Sequence, residues 1–261
     1  MDRPSRRLAL AAGLLAASVL AAAGLAGWWR GRNVGPVQRG ALVAERSGCF
    51  GCHGRGGVTG LEDPGDAVGG VPPLTADALQ SYAENAAELR EWVRDGAPRR
   101  VREEQARFPL EDPAPLLQMP AFAGVLSSRE IADVASWLAA VGEFEVPGDG
   151  PAEAGRLAAG RLGCFGCHGP GGRGDPPNPG SLKGYIPAWN GQDFPELVRD
   201  EPELREWVLD GAPARLREHG VARWFLERQA VRMPAYRDRI AAADVDAIVA
   251  YIGWLRGGQL P

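Results

Sequence analysis

At 261 residues the chain is long enough for about two domains, and 45% hydrophobic with 24% charged residues is the balance of a globular protein. A formal charge of -4 gives no sign of nucleic-acid binding, and no nucleophile constellation, paired-carboxylate signature or nucleotide-binding glycine loop is present.

The N-terminus carries Arg3, Arg6 and Arg7, followed from Leu8 to Gly27 by 20 residues without a charge. As a helix that run spans about 30 Å at 1.5 Å per residue, the thickness of a hydrocarbon core. Trp28, Trp29 and Arg30 supply the residues expected at a membrane boundary, and the leading arginines favour a cytoplasmic N-terminus. Residues 1–30 therefore read as one transmembrane helix anchoring the chain. The alternative is a cleaved signal peptide, since Ala21 to Ala26 is rich in small residues; the apolar run exceeds the roughly 7 to 15 residues of a signal core. Both readings place the remainder on the periplasmic side of a bacterial inner membrane.

After a spacer from Gly31 to Pro36 the chain repeats itself. Glu88-Leu89-Arg90-Glu91-Trp92-Val93 returns as Glu203-Leu204-Arg205-Glu206-Trp207-Val208, an offset of 115 residues, and Pro147 to Pro151 between the copies has a linker's composition. Two domains are predicted, 37–146 and 152–261.

Each copy opens on Cys-x-x-Cys-His: Cys49, Cys52 and His53, then Cys164, Cys167 and His168. Two thiols with two residues between them reach one edge of a porphyrin, and the next residue offers its imidazole to the iron, so the pattern predicts two covalently bound haem c groups. A structural zinc site needs four ligands, and the four cysteines are all used, with His219 the one further histidine. A dithiol or a disulfide predicts no histidine in the same place twice.

Apart from the initiator the chain has two methionines, in Met119-Pro120-Ala121-Phe122 and Met233-Pro234-Ala235-Tyr236, 66 and 65 residues after their histidines. A gap-filling core methionine does not explain a recurring string at that distance, whereas a thioether ligand to each iron does. His53, Met119, His168 and Met233 are the predicted metal ligands.

The readable periodicity is helical. Leu79, Tyr82, Ala86, Leu89 and Val93 step by three and four along one predicted helix that Gly96 ends. In the second copy Pro202 predicts a helix restarting there, with the proline in its first turn. Ser127 and Glu130 form a predicted capping box before Ile131, Val134, Ala135 and Leu138; Val245, Ile248, Val249 and Ile252 answer in the second copy. No strand alternation is evident. The fold class is mostly α.

On the haem motifs, the late Met-Pro segments and the closing helices, the sequence resembles the class I cytochrome c family over both copies. Gly40 and Gly155, each nine residues before a first cysteine, match the glycine of the family's first helix, and Trp137 and Tyr251 match its late aromatic. The resemblance implies two tandem class I domains and, through Pro72 and Pro187, 19 residues after each histidine, backbone carbonyls that accept the histidine Nδ1 proton; Pro73 stands beside Pro72 as an alternative. Ala44 and Ala159 stand where the family commonly has an aromatic, which predicts looser packing of the first helix on the last. Each copy also carries an arginine-rich segment before its methionine, Arg99, Arg100, Arg102 and Arg107, then Arg215, Arg217, Arg223 and Arg228, of which at most one or two per haem are expected to pair with propionates and the rest to form a solvated surface.

The function this implies is electron transfer rather than catalysis: a membrane-anchored dihaem cytochrome passing single electrons between respiratory or photosynthetic redox complexes, such as a quinol-oxidising complex and a terminal oxidase or reductase, as tethered carrier or as haem subunit. The alternatives are a dihaem peroxidase, in which His219 competes for the second iron, and a docking subunit with structural haems.

Overall fold

A computed structural model describes residues 12–21, 24, 34–63, 70–108 and 116–260. The chain forms two compact units, Met1–Val34 and Gly35–Pro261. In the first, residues 12–21 are helical. Among the described residues no helix is long and apolar enough to cross a membrane. The predicted span from Leu8 to Gly27 runs beyond the described residues at both ends, and the boundary residues Trp28, Trp29 and Arg30 lie outside them.

The second unit is built twice from one plan. The first copy holds α1 (Pro36–Arg46), the haem-motif turn α2 (Cys49–Cys52), α3 (Ala76–Tyr82), α4 (Ala86–Asp95), α5 (Arg99–Arg107) and α6 (Ser128–Val141). The second holds α7 (Pro151–Arg161), α8 (Cys164–His168), α9 (Phe194–Leu197), α10 (Glu201–Asp210), α11 (Ala214–Glu218), α12 (Gly220–Arg228) and α13 (Ala242–Leu255). The described strands are β1 (Leu61–Glu62) and β2 (Gly70–Val71), an antiparallel pair in the register Leu61 to Val71.

In each copy the first helix crosses the last at a glycine. A Cβ on Gly40 would collide with the Asp133 carbonyl on α6, and one on Gly155 with the Ala247 carbonyl on α13. The missing side chain lets the two backbones touch. The cores form around these crossings, with Val43, Leu89, Val134 and Trp137 in the first copy and Leu204, Ile248, Tyr251 and Ile252 in the second.

Ala44 and Ala159 are fully buried at these crossings, so the expected loosening is absent. The aromatic contact comes instead from inside the haem motifs. Phe50 meets Trp137 edge-on at 5.8 Å between centroids, and Phe165 meets Tyr251 at 6.2 Å.

The predicted single helix through Leu79 and Val93 is two. Ala83 is extended (φ -132°, ψ 134°), and the Asn85 side chain accepts from the amides of Ala87 and Glu88, so a new helix starts there. Asp200 does the same for α10 by accepting from Glu203, with Pro202 in the first turn as predicted. Gly96 and Gly211 end these helices in the left-handed conformation (φ 81° and 77°), and Ser127 with Glu130 closes a capping box on α6.

The connection between the copies does not hold two detached bodies. The turn Pro170–Gly172 packs against α6, Arg156 pairs with Glu143 at 2.9 Å, and Arg173 pairs with Glu145 at 2.6 Å.

Candidate haem sites

Each copy encloses one apolar cavity beside its Cys-x-x-Cys-His turn. Cys49, Cys52, His53, Pro72 and Met119 all line the first; Cys164, Cys167, His168, Pro187 and Met233 all line the second. The thiols and imidazole come from a short helical turn entered through a left-handed glycine, Gly48 (φ 81°) or Gly163 (φ 79°). The methionine comes from a later loop with no helix of its own.

That loop is tied to the helix before it in the same way twice. The amides of Phe122 and Ala123 donate to the carbonyls of Val93 and Arg94 at 3.1 and 3.0 Å; those of Tyr236 and Arg237 donate to Val208 and Leu209 at 3.2 and 3.0 Å. On the other side of each methionine a buried side chain holds the approach. Asp63 accepts from the amides of Leu116 and Leu117 at 3.3 and 2.7 Å, and Asn178 makes a two-way pair with the Val231 backbone, 2.9 Å each way.

His53 Nδ1 lies 2.7 Å from the Pro72 carbonyl oxygen, and His168 Nδ1 lies 3.3 Å from that of Pro187. The partner in the first copy is thus Pro72 and not Pro73. With Nδ1 donating to a carbonyl, the neutral imidazole keeps its Nε2 lone pair free for a metal. Enclosure pushes the His168 imidazole down to about 4, against the smaller upward pull of the Pro187 carbonyl, so this ring is neutral near pH 7. Burial pushes the Cys49 and Cys164 thiols up. A dithiol redox site depresses its first thiol instead, so the raised values speak against that chemistry.

The donor set fits a haem: two thiols, an imidazole and a thioether share the lining of each cavity, with apolar side chains around them. Haem c supplies a one-electron ferric/ferrous couple.

Two comparisons bear on the site. Residues 35–138 match the family described as cytochrome C oxidase, cbb3-type, subunit III, and residues 152–256 match the cytochrome c family. Each of these two stretches is a cytochrome c-type domain. No curated protein and no solved structure matches the chain. The two cytochrome c domains carry two covalently bound haem c groups, attached at Cys49 and Cys52 and at Cys164 and Cys167. The chain is an electron-transfer haem protein.

Most of the arginines singled out by composition pair within the cytochrome c domains rather than at the cavities. Arg100 binds Glu88 at 3.1 Å and Arg215 binds Glu203 at 2.7 Å, the same pair in both copies. Arg99 pairs with Glu103 and Arg223 with Glu227. Arg102, which also pairs with Asp95 at 3.2 Å, lines the first cavity; the second is reached by Arg232, outside the predicted set. His219 is not among the residues lining either haem cavity. It stands at the N-terminus of α12, where its Nδ1 accepts from the Ala222 amide at 3.4 Å.

The wall of the second cavity is backed by a polar cluster that sequence reasoning missed, buried at Lys183, Tyr185 and Asp193 and reaching the exposed Glu196. Lys183 and Tyr185 line the cavity; the Lys183 ammonium lies 2.9 Å from Asp193 Oδ2 and 2.6 Å from Glu196, and the Tyr185 hydroxyl donates to the same Asp193 oxygen at 2.6 Å. A signal existed: Lys183 is the chain's one lysine, among arginines everywhere else. Trp189 replaces Leu74 of the first domain, and its ring centroid lies 5.0 Å from that of His168.

Proposed function

We propose that this chain is a membrane-attached dihaem cytochrome that moves single electrons, with His53 and Met119 ligating the first iron and His168 and Met233 the second. The observation that carries this reading is the placing of one histidine and one methionine on the walls of each cavity, on separately anchored segments. With a histidine and a methionine both ligating it, an iron would have no site left for substrate, which favours a carrier over a peroxidase. A neutral thioether stabilises ferrous iron and raises the potential, suiting the high-potential end of a respiratory chain.

The description of the family matched by the first domain, an oxidase subunit, supports a place as a haem subunit delivering electrons toward a terminal oxidase, with a quinol-oxidising complex as donor. The uncharged run from Leu8 to Gly27 behind three arginines supports attachment to a bacterial inner membrane with the haem domains on the periplasmic side.

The test is purification of the full chain from membranes in mild detergent. Two covalent haems per chain, two methionine-to-ferric-iron absorption bands, negligible peroxide turnover and a copurifying oxidase are expected. Enzymatic peroxide reduction, or one haem lacking the methionine band, would replace the carrier by a peroxidase. A soluble mature chain beginning near Gly27 would remove the anchor.

A further inference from the structure

The contact between the two domains is built from positions where the repeat departs from itself. Arg39, Asp133 and Asp175 stand where the other copy has Ala154, Ala247 and Gly60. Asp175 lies in the loop after the second haem motif and is 3% exposed. Its Oδ2 accepts from the amide of Gly35, the residue capping α1 in the first domain, at 2.7 Å; its Oδ1 accepts from the amide of Ala188 at 2.7 Å. Arg39, gripped by Asp133 through hydrogen bonds of 2.8 and 2.7 Å, adds a favourable positive potential at this carboxylate.

Ala188 sits between the two residues that hold the second histidine. Pro187 supplies the carbonyl 3.3 Å from His168 Nδ1, and Trp189 supplies the ring packed beside the imidazole. One buried carboxylate therefore joins an amide of the first domain to the segment that orients His168. The first domain has no equivalent, because Gly60 occupies the corresponding position.

We propose that Asp175 is a positioning residue through which docking of the first domain sets the orientation of His168, and with it the reduction potential of the second haem. The proposal rests on His168 and Met233 being that haem's ligands. Removing the carboxylate leaves the buried Ala188 amide and the part-buried Gly35 amide unpaired, and the 187–189 segment relaxes to satisfy Ala188. A weakened Nδ1 bond makes the imidazole a poorer donor, and loss of a buried negative charge acts in the same direction. Both favour ferrous iron.

The experiment is a potentiometric titration of the full-length holoprotein, wild type against Asp175→Ala and Gly35→Pro, with the second wave assigned by its loss of the methionine band in Met233→Ala. Gly35 has φ -71°, which proline adopts, so Gly35→Pro removes the donated amide while leaving the Asp175 charge in place. In Asp175→Ala the second wave is expected to move upward with the first unmoved. In Gly35→Pro, a substitution in the first domain, the second wave alone is expected to move, and the Ala188 amide to lose hydrogen-exchange protection. Two variants with both waves and Ala188 protection at wild-type values overturn the proposal, as does an equal shift of both waves. If Asp175→Ala does not fold, Gly35→Pro decides alone. A wild-type protein with no methionine band at the second haem would instead sink the ligand assignment beneath it.

Discussion

Gly96 lies against Met119: a Cβ at Gly96 would stand 2.5 Å from the Met119 carbonyl oxygen, and one at Gly211 would stand 2.6 Å from that of Met233. The glycine that ends each helix thus also makes room for the methionine loop. An alanine there faces a left-handed φ and a carbonyl in its way, and the strain costs about 1–3 kcal/mol. Gly96→Ala and Gly211→Ala should each lower the unfolding midpoint and weaken the methionine-to-iron band of their own domain. Variants that melt lower with both bands intact would show that the glycines serve the helix end alone.

Met119→Ala should abolish the long-wavelength band of the first haem and lower its potential, with the second unchanged; Met233→Ala should do the converse. The reason is that each methionine loop is tied to a helix of its own domain, at Val93 and Arg94 or at Val208 and Leu209. Absorption spectra of the two ferric variants, followed by potentiometry, check this. A shared loss of both bands would contradict separate ligand sets.

His219→Ala should leave both bands and both potentials as they are. Its side chain caps α12 through one long hydrogen bond to Ala222 and lies outside the cavity wall. Loss of an exposed cap costs about 0.5–1 kcal/mol, visible as a small drop in thermal midpoint. A changed coordination spectrum would return His219 to the iron and revive the peroxidase.

Tyr251 is 2% exposed and donates to the Gly171 carbonyl at 2.9 Å, and burial pushes its phenol up to about 12. Because the folded value lies above the ordinary one, this stabilisation is complete below pH 10 and is lost as pH rises through 12. The loss amounts to about 2–3 kcal/mol at 1.36 kcal/mol per pH unit. Denaturant melts of the full chain and of Tyr251→Phe between pH 9 and 12 should show the second domain of the wild type weakening more steeply than that of the variant. Parallel slopes would remove the effect.

The sequence by itself determined what is local or repeated. Cys-x-x-Cys-His is a contiguous geometry, the Met-Pro strings recur at nearly one distance, and the Ser127 capping box and the Pro202 helix start need only neighbouring residues; Gly40 and Gly155 stand out through the family resemblance, and their place at the helix crossings comes from the structure. Only the tertiary structure decided what depends on residues far apart in the chain. The break before α4 shows this, since a stripe at Leu79, Tyr82, Ala86, Leu89 and Val93 is equally periodic whether or not Asn85 captures the amides between its halves. Phe50 and Phe165 take over the aromatic contact at the helix crossing because the turn of the haem motif aims them at Trp137 and Tyr251. Lys183 stands out in the sequence as the one lysine, but its pairing with Asp193, ten positions on, is visible only in the fold. The junction of the domains was least legible of all: Asp175 and Gly35 are 140 residues apart, and a hydrogen bond between a loop carboxylate and a helix-capping amide leaves no periodicity for a sequence to display.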